Sequence, residues 1–316
     1  MEFFNPNANI QFMRWRNVAV AISAFLFVAS IVLLSVRGLN LALDFTGGTL
    51  VEAEFSQPVE IDKVRSALDQ AGFQNFTVQS IGGAREAAMR LPPIAKGEAN
   101  ADRQREMAES VGKALNEAGL GATIKRSEFV GPQVGEELTE SGVIAVVFVI
   151  LTIMLYVAMR FEWRFGLAAI AGEVHDVIIS LGFVSLMGLN FDLTVLAGLL
   201  TIAGYSINDK VVVFDRVREI FRSARKLPPE ETINKAVNNT LSRTFITGLT
   251  TFFALFSLYL IGGPAVEGFA ITVIFGVFIG TLSSIFFCNP ILLWLGVTKS
   301  DLQVVKKEDP ALALRP

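Results

Sequence analysis

The chain has 316 residues, of which 52% are hydrophobic and only 18% are charged, with a formal net charge of −3. Soluble domains carry about 25% charged residues, so this composition excludes an ordinary soluble globular protein and predicts a membrane protein. The single cysteine, Cys288, excludes an intrachain disulfide.

Six apolar segments are predicted to cross the membrane as helices, each close to the length that a helix needs. Spanning the ~30 Å hydrocarbon layer takes about 20 apolar residues. The first segment is too long for a signal peptide and no small-x-small cleavage site precedes Arg37, so it is interpreted as an uncleaved anchor. The segments are 18–36, 142–158, 165–187, 193–214, 244–261 and 269–295.

The Lys and Arg residues predict the orientation of these segments. In the short loops and next to the terminal spans they occur at 14–16, 160–164, 216–235 and 299–307, whereas the short loops 188–192 and 262–268 contain none. Because basic loops stay in the cytoplasm, both termini are predicted to be cytoplasmic and the long loop external. The predicted organisation is 1–37 for the cytoplasmic or interfacial start and first helix, 38–138 for a periplasmic domain, 139–297 for helices two to six, and 298–316 for a cytoplasmic tail.

The external domain is predicted to have an α+β fold. Alternating apolar and polar residues predict strands, and stripes of apolar residues predict two helices. The order strand, helix, two strands, helix, strand is the ferredoxin-like arrangement βαββαβ, which implies no function by itself. The predicted strands are 48–55, 76–81, 84–91 and 122–130, and the predicted helices are 62–71 and 102–118. The fold class is therefore a polytopic α-helical membrane protein with six transmembrane helices and a ferredoxin-like periplasmic domain.

Asp209 is the first residue that needs an explanation, because it lies in the fourth predicted span. A charged group at membrane depth costs at least ~2.5–3.5 kcal/mol on insertion scales. The predicted orientation places Asp209 roughly 9 Å above the cytoplasmic end of its helix. Arg243 opens the next span at a comparable depth, so the two can pair. Two interpretations stay open, a proton-coupling pair and a static membrane salt bridge.

The third predicted span carries a second group of polar residues. Glu173, Asp176 and Ser180 share one helical face, which is expected to point into the bundle. His175 is predicted to face elsewhere, about 100° from Asp176; imidazole groups titrate near neutral pH. A secondary proton relay and structural contacts between helices are both open for this group. The same alternatives apply to Asn208 and Ser206, which precede Asp209.

Several kinds of chemistry are excluded by the missing motifs. The sequence has no Walker loop, no His-Glu-x-x-His and no cysteine pair, so no nucleotide hydrolysis, metal or cofactor is predicted. Ser206 and Ser283 lack a credible histidine partner, which argues against an intramembrane serine protease. The chain is therefore predicted not to be an enzyme, and to use an ion gradient or a partner protein as its source of energy.

Motifs in five separate places resemble those of SecF, the protein-export membrane subunits of the SecD/SecF family in the resistance-nodulation-division superfamily. The resemblance runs from the first span to about residue 297. It implies a bacterial inner-membrane location and a proton-motive-force-driven role in exporting preproteins. The motifs are Asp-Phe-Thr-Gly-Gly-Thr at 44–49, Phe-Val-Gly-Pro-Gln-Val-Gly at 129–135, Gly-Glu-Val-His-Asp at 172–176, the segment 205–219, and Leu-Ser-Arg-Thr at 241–244.

The resemblance also implies partners and residue roles. SecD would form a heterodimer with the chain, and the pair would act on the SecYEG channel, with YajC and YidC as further partners, on a translocating preprotein among membrane lipids. No nucleic acid is implied. Asp209 matches the proton-carrying aspartate and Arg243 its arginine partner. Lys210 stands where relatives often have Ser or Thr; it is expected either to favour the ionised form of Asp209 or to point toward the cytoplasm.

Two alternative functions remain open at this point. One is half of a transporter in the same superfamily that exports small molecules or lipids, although one external loop of ~100 residues is small for that task. The other is a scaffold of the translocon without a motor function. Sodium in place of protons also remains open, because carboxylate and amide groups suit either ion.

Overall fold

The computed structural model describes residues 9–81, 83–92, 101–223 and 227–297, with the backbone alone at 101–104. The predicted cytoplasmic tail at 298–316 lies outside these residues. The helices, after a short 3₁₀ turn at Phe12–Trp15, are α1 (Arg16–Val36), α2 (Leu43–Thr46), α3 (Ile61–Gln70), α4 (Ala101–Glu117), α5 (Pro132–Arg160), α6 (Trp163–Met187), α7 (Leu193–Ser223), α8 (Pro229–Ile261), α9 (Pro264–Phe286) and α10 (Cys288–Trp294).

Within the described ranges, six helical stretches are long and apolar enough to cross a membrane, in agreement with the six predicted spans. Several extend beyond the prediction, because hydropathy marks only the apolar part of a helix. The second, fourth and fifth begin or end in polar turns: α5 starts at Pro132, α7 continues to Ser223 and α8 starts at Pro229. Proline suits the first turn of a helix because that turn needs no backbone N–H.

The sixth predicted span, 269–295, is divided into α9 and α10 at Phe287. Pro290 explains the break, because a proline cannot donate to the carbonyl four residues earlier and its ring clashes with it. That carbonyl belongs to Phe286, the last residue of α9. Asn289 Nδ2 donates to the main-chain oxygen of Ser284 at 2.7 Å, which compensates for a hydrogen bond that the break removes.

Between α1 and α5 the chain forms a separate α/β domain. The strands β2 (Gly48–Phe55), β3 (Thr77–Ser80), β4 (Glu86–Leu91) and β5 (Ala122–Val130) form one antiparallel sheet in the order β3-β4-β2-β5. The predicted order of strands and helices is observed; β4 begins two residues later than expected. The buried face of the sheet packs on α3 and α4, and the core includes Val51, Phe55, Leu68, Val111 and Leu115.

The sequence patterns did not predict the connection between this domain and the helices. Strand β1 (Asn40–Leu41) pairs in parallel with β6 (Asn190–Phe191), which lies in the loop between α6 and α7. Asp44 Oδ2 accepts a hydrogen bond from the backbone N–H of Leu193, the first residue of α7, at 3.0 Å. Short strands and a one-turn helix carry too little periodicity to be recognised. The base of the domain is therefore fixed to the start of α7.

The glycine pair at 47–48 allows the chain to pass close to the end of β4 and to the first turn of α5. Both residues have positive φ, which favours glycine. A Cβ on Gly48 would lie 2.4 Å from the Leu91 carbonyl oxygen, and one on Gly135 would lie 2.9 Å from the Gly47 nitrogen. The start of β2 and the first turn of α5 thus meet backbone to backbone.

The helices form a bundle with a buried centre. In α6, α7 and the stretch Pro264–Trp294, 56% of the most apolar window is buried, against 6–11% in the other three spans. Glycines bring the central helices together: a Cβ on Gly276 of α9 would lie 2.2 Å from Ile202 of α7. At the periphery, a Cβ on Gly182 of α6 would lie 2.3 Å from the Ser30 hydroxyl of α1.

Replacing Gly182 by alanine is expected to separate α1 from α6. The new methyl group would overlap both Ser30 side-chain atoms and come within 2.9 Å of the Ser30 Cα, so the helix itself must move. Overpacking of this kind typically costs about 1–3 kcal/mol. Thermal unfolding of the purified protein in detergent measures the effect.

Gly204→Ala is the matched control, because the described residues place nothing within 4 Å of a Cβ there. It is expected to change stability by less than about 0.5 kcal/mol, as most substitutions at open sites do. Equal unfolding temperatures for Gly182→Ala and the original protein would contradict close packing of α1 on α6.

Candidate functional site

A buried polar cluster lies where α6, α7 and α9 meet. Its centre is Lys210 of α7, which is 0% exposed. Its Nζ donates to Asp176 Oδ2 at 2.7 Å, to Ser206 Oγ at 2.5 Å and, more weakly, to Glu173 Oε2 at 3.3 Å. A buried ammonium is tolerated only when it is paired and hydrogen bonded in this way.

Asp176 receives hydrogen bonds from two neighbouring helices, α7 and α9. Besides Lys210, Ser206 of α7 donates to Oδ2 at 2.5 Å and Ser283 of α9 donates to the same oxygen at 2.6 Å. The predicted shared face of α6 is present for Glu173 and Asp176, which both contact Lys210. Ser180, the third predicted member, instead donates to the main-chain oxygen of Asp176 at 2.7 Å.

The local sequence explains how a lysine can occupy the centre of the bundle. A Cβ on Gly172 of α6 would lie 2.7 Å from Lys210 Cε and 2.2 Å from Cys288 Sγ. A glycine at this position therefore leaves the room through which the lysine stem passes between the helices. Cys288 is buried beside it.

His175 belongs to the cluster, which corrects the prediction that it faces elsewhere. Its Nδ1 is hydrogen bonded to Asp176 Oδ1 at 2.8 Å, and its ring stacks on Phe287 with centroids 4.1 Å apart. Neighbouring residues of a helix point about 100° apart, but both side chains are long enough to bend toward each other. The other ring nitrogen, Nε2, is buried and has no hydrogen-bond partner.

Asp209 faces α8, about 100° around α7 from Lys210. It is 4% exposed, and its Oδ1 accepts a hydrogen bond from Thr244 Oγ1 of α8 at 3.2 Å, whereas Oδ2 is buried without a partner. Arg243, the predicted partner, is exposed and near enough to act on Asp209 electrostatically. In the described residues no ion pair joins the two side chains. The neutral hydroxyl of Thr244 makes the direct contact.

Lys210 is near enough to act on Asp209 electrostatically, as one of its two expected roles requires. The other expectation, that it points toward the cytoplasm, is wrong, because its Nζ lies in the buried cluster. Consecutive residues of α7 face different neighbours, Asp209 toward α8 and Lys210 toward α6.

Asn208 is exposed, and no hydrogen bond of its side chain is found among the described residues. Sequence reasoning missed Thr244 and Ser283 as site residues, because a hydroxyl in an apolar span usually bonds its own helix.

Family comparisons match both parts of the chain. The family described as "Protein export membrane protein SecD/SecF, C-terminal" matches residues 110–298. A second family, "SecD/SecF GG Motif", matches residues 32–59, which include the glycine pair at 47–48. The first of these matches includes every residue of the buried cluster as well as Asp209, Arg243 and Thr244.

Curated relatives match along nearly the whole chain. A protein of Vibrio alginolyticus named protein translocase subunit SecF is 44% identical over 303 residues, covering 95% of this chain and 94% of the relative. A protein of Escherichia coli O157:H7 with the same name is 44% identical over 300 residues, covering 94% of this chain and 92% of the relative.

Solved structures also match. The crystal structure of SecDF, a translocon-associated membrane protein from Thermus thermophilus, is 36% identical with a TM-score of 0.82. SecDF in a "Super-membrane-facing form" is 37% identical with a TM-score of 0.66. The alignments cover 93% and 92% of this chain, but this chain spans only 39% of each SecDF chain.

Lys210→Met is expected to destabilise the bundle, because it leaves the buried Asp176 carboxylate without its cation. Removing one partner of a buried ion pair typically costs about 3–5 kcal/mol. The double variant Lys210→Met with Asp176→Asn removes both charges and is expected to recover most of that loss. Thermal unfolding of both proteins in the same detergent measures the coupling.

Lys235→Met provides the control, since Lys235 is an exposed lysine on α8. It is expected to leave the unfolding temperature unchanged. A double variant that is no more stable than Lys210→Met alone would show that the two charges do not stabilise each other.

Proposed function

Because the chain belongs to the SecD/SecF family of protein-export membrane proteins, we propose that it uses the proton-motive force, with SecD, to promote preprotein translocation through the SecYEG channel and release on the periplasmic side. The chain is a translocase subunit of the SecF type, as its relatives along nearly the full length are. That is a transport role and not a catalytic one.

The observation that carries the proposed proton coupling is the incomplete satisfaction of Asp209. The carboxyl group is buried, one oxygen has a single hydroxyl donor, and the other has none. An ionised carboxylate in such a place is costly unless it is well paired, whereas a proton removes most of the cost. Asp209 is therefore suited to bind and release a proton as its surroundings change.

The positive charge of Arg243 would link the protonation state of Asp209 to a movement of the helices. When Asp209 is ionised, the guanidinium one residue before Thr244 attracts it and draws α7 and α8 together. When Asp209 takes up a proton from the periplasmic side, that attraction is lost and the helices can shift. Release of the proton to the cytoplasm resets the pair.

The energy that each proton delivers is sufficient for this cycle. One charge moving through the membrane potential yields ~2.3 kcal/mol per 100 mV. Because 1.4 kcal/mol corresponds to a factor of ten, such a step biases a two-state equilibrium about fifty-fold. One proton per step is therefore enough to favour one arrangement of the helices.

The domain organisation follows the same proposal. Residues 38–138 form the periplasmic domain, and its antiparallel order β3-β4-β2-β5 supports a ferredoxin-like fold. Residues 1–37 and 139–297 form the inner-membrane part, and 298–316 the cytoplasmic tail. Arg16 at the start of α1 is paired with Glu230 at the start of α8 at 2.7 Å, as expected if both helices begin at the cytoplasmic side.

SecD is proposed to bind the exposed faces of α7 and α8. The two solved neighbours are SecDF chains, of which this chain matches one part. Along α7, small or polar residues are exposed at helical spacing, as in membrane helices that approach a neighbour closely. They are Ala197, Thr201, Gly204 and Asn208. YajC and YidC are proposed as further partners of the assembled complex.

Asp209→Asn is expected to abolish the part of preprotein release that depends on the proton gradient. Asparagine can still accept the Thr244 hydrogen bond but cannot exchange a proton. Release from vesicles that contain the SecD complex is measured with and without a proton gradient, after assembly has been verified. The variant should release preprotein at the same rate in both conditions.

Asp215→Asn is the control on the same helix, since Asp215 lies at the bundle surface and pairs with Arg160 at 2.5 Å. It should keep its response to the gradient. If Asp209→Asn also kept that response, Asp209 would have a structural role and the chain would act as a scaffold of the translocon.

Gly204→Phe is expected to reduce association with SecD at least several-fold without lowering the stability of the isolated chain. The described residues leave open space beside Gly204, so the ring would project from the bundle into the proposed partner. Co-purification with SecD measures association. Val28→Phe, on the exposed surface of α1, is the control, and equal recovery of SecD with both variants would contradict this interface.

A further inference from the structure

Glu173 is the member of the buried cluster that the proposed role of Asp209 does not use. The cluster contains one certain cation, Lys210, and two carboxyl groups, Glu173 and Asp176. With both carboxyl groups ionised and His175 neutral, the cluster would carry one uncompensated negative charge. Burying such a charge in a membrane protein is costly, so one of the two carboxyl groups is expected to hold a proton.

The hydrogen bonds indicate that Asp176 is the ionised group. Its two oxygens face Lys210, Ser206 and Ser283 on one side and His175 on the other, at 2.5–2.8 Å. Lysine can only donate, and a carboxylate that accepts several hydrogen bonds is stabilised in its charged form. Asp176 and Lys210 therefore form a neutral, fully satisfied pair.

Glu173 has fewer and longer hydrogen bonds than Asp176 and is slightly more exposed. Its one contact with Lys210 is long, 3.3 Å, and its Oε1 is buried with no hydrogen-bond partner. Its side chain is 8% exposed, against 0% for those of Asp176 and Lys210. Glu173 is thus the less stabilised carboxyl of the two.

Among the residues that the structure describes, no further charged group is found to compensate for Glu173. The elements around it contribute Lys210 from α7, Asp176 and His175 from its own helix, and the buried Cys288 thiol from α10. The sequences of the first and second spans, 17–36 and 141–159, contain no Asp, Glu, Lys, Arg or His. Asp209 points away, toward α8.

From this arrangement we infer that Glu173 is a second proton-binding carboxyl group of the bundle, distinct from Asp209. It holds a proton while Lys210 is paired with Asp176. A displacement of α7 against α6 that brings Lys210 closer to Glu173 would stabilise the ionised carboxylate and release that proton. Lys210 would then interact mainly with Asp176 in one arrangement and also with Glu173 in the other.

Infrared difference spectroscopy tests this inference on the full chain in complex with SecD. Protonated carboxyl groups have an absorption band of their own, and an Asp209→Asn background removes the contribution of Asp209. At neutral pH, Glu173→Gln in that background is expected to remove the signal of one protonated carboxyl. Its unfolding temperature should stay unchanged, because glutamine has the shape and the neutral charge of protonated glutamate.

Glu267→Gln, at an exposed glutamate of α9, is the control and should leave the band unchanged. An unchanged band in Glu173→Gln, or a lowered unfolding temperature or failed assembly, would show that Glu173 is an ionised partner of Lys210 and overturn the inference. The two roles can fail separately: preprotein release from Asp209→Asn vesicles decides the role of Asp209, and the carboxyl band decides that of Glu173.

Discussion

The packing of the central helices depends on the buried ion pair of Lys210 and Asp176. An ammonium group with no exposure must be surrounded by acceptors, and those acceptors come from the helix that carries it and from a neighbouring one. Ser283 ties a third helix to the same carboxylate. Apolar side chains alone could pack α6, α7 and α9 in several registers. The directional hydrogen bonds of the cluster are satisfied in only one register, so they select it. The glycine at position 172 is a consequence of the same constraint.

The two consecutive residues Asp209 and Lys210 place polar groups on two different faces of α7. One face presents a buried, poorly satisfied carboxyl to α8, and the other presents a well-satisfied ammonium to α6. A rotation or shift of α7 therefore acts on both at once. Asp209 and Lys210 would move together because they share one helix.

Hydropathy and periodicity predicted the spans and the order of the α/β elements well, because both depend on patterns along one segment. Strands β2 and β5 were predicted to the residue. The failures concern contacts between segments. The direction of Lys210 depends on which helix lies opposite, and the place of His175 depends on how its side chain bends. Thr244 contacts Asp209 in place of Arg243 because the two consecutive residues of α8 point in different directions. None of these follows from spacing alone. The break at Phe287 was foreseeable from Pro290, whose effect on the preceding turn is local.

The short parallel pair of β1 and β6 has a mechanical consequence. It links the base of the α/β domain to the turn between α6 and α7 through main-chain groups, including the N–H of Ala42 and the carbonyl of Phe191 at 2.8 Å. Such a linkage depends little on which side chains are present, because peptide groups make it. A tilt of α6 or α7 would therefore move the base of the α/β domain as well, because backbone hydrogen bonds join the two.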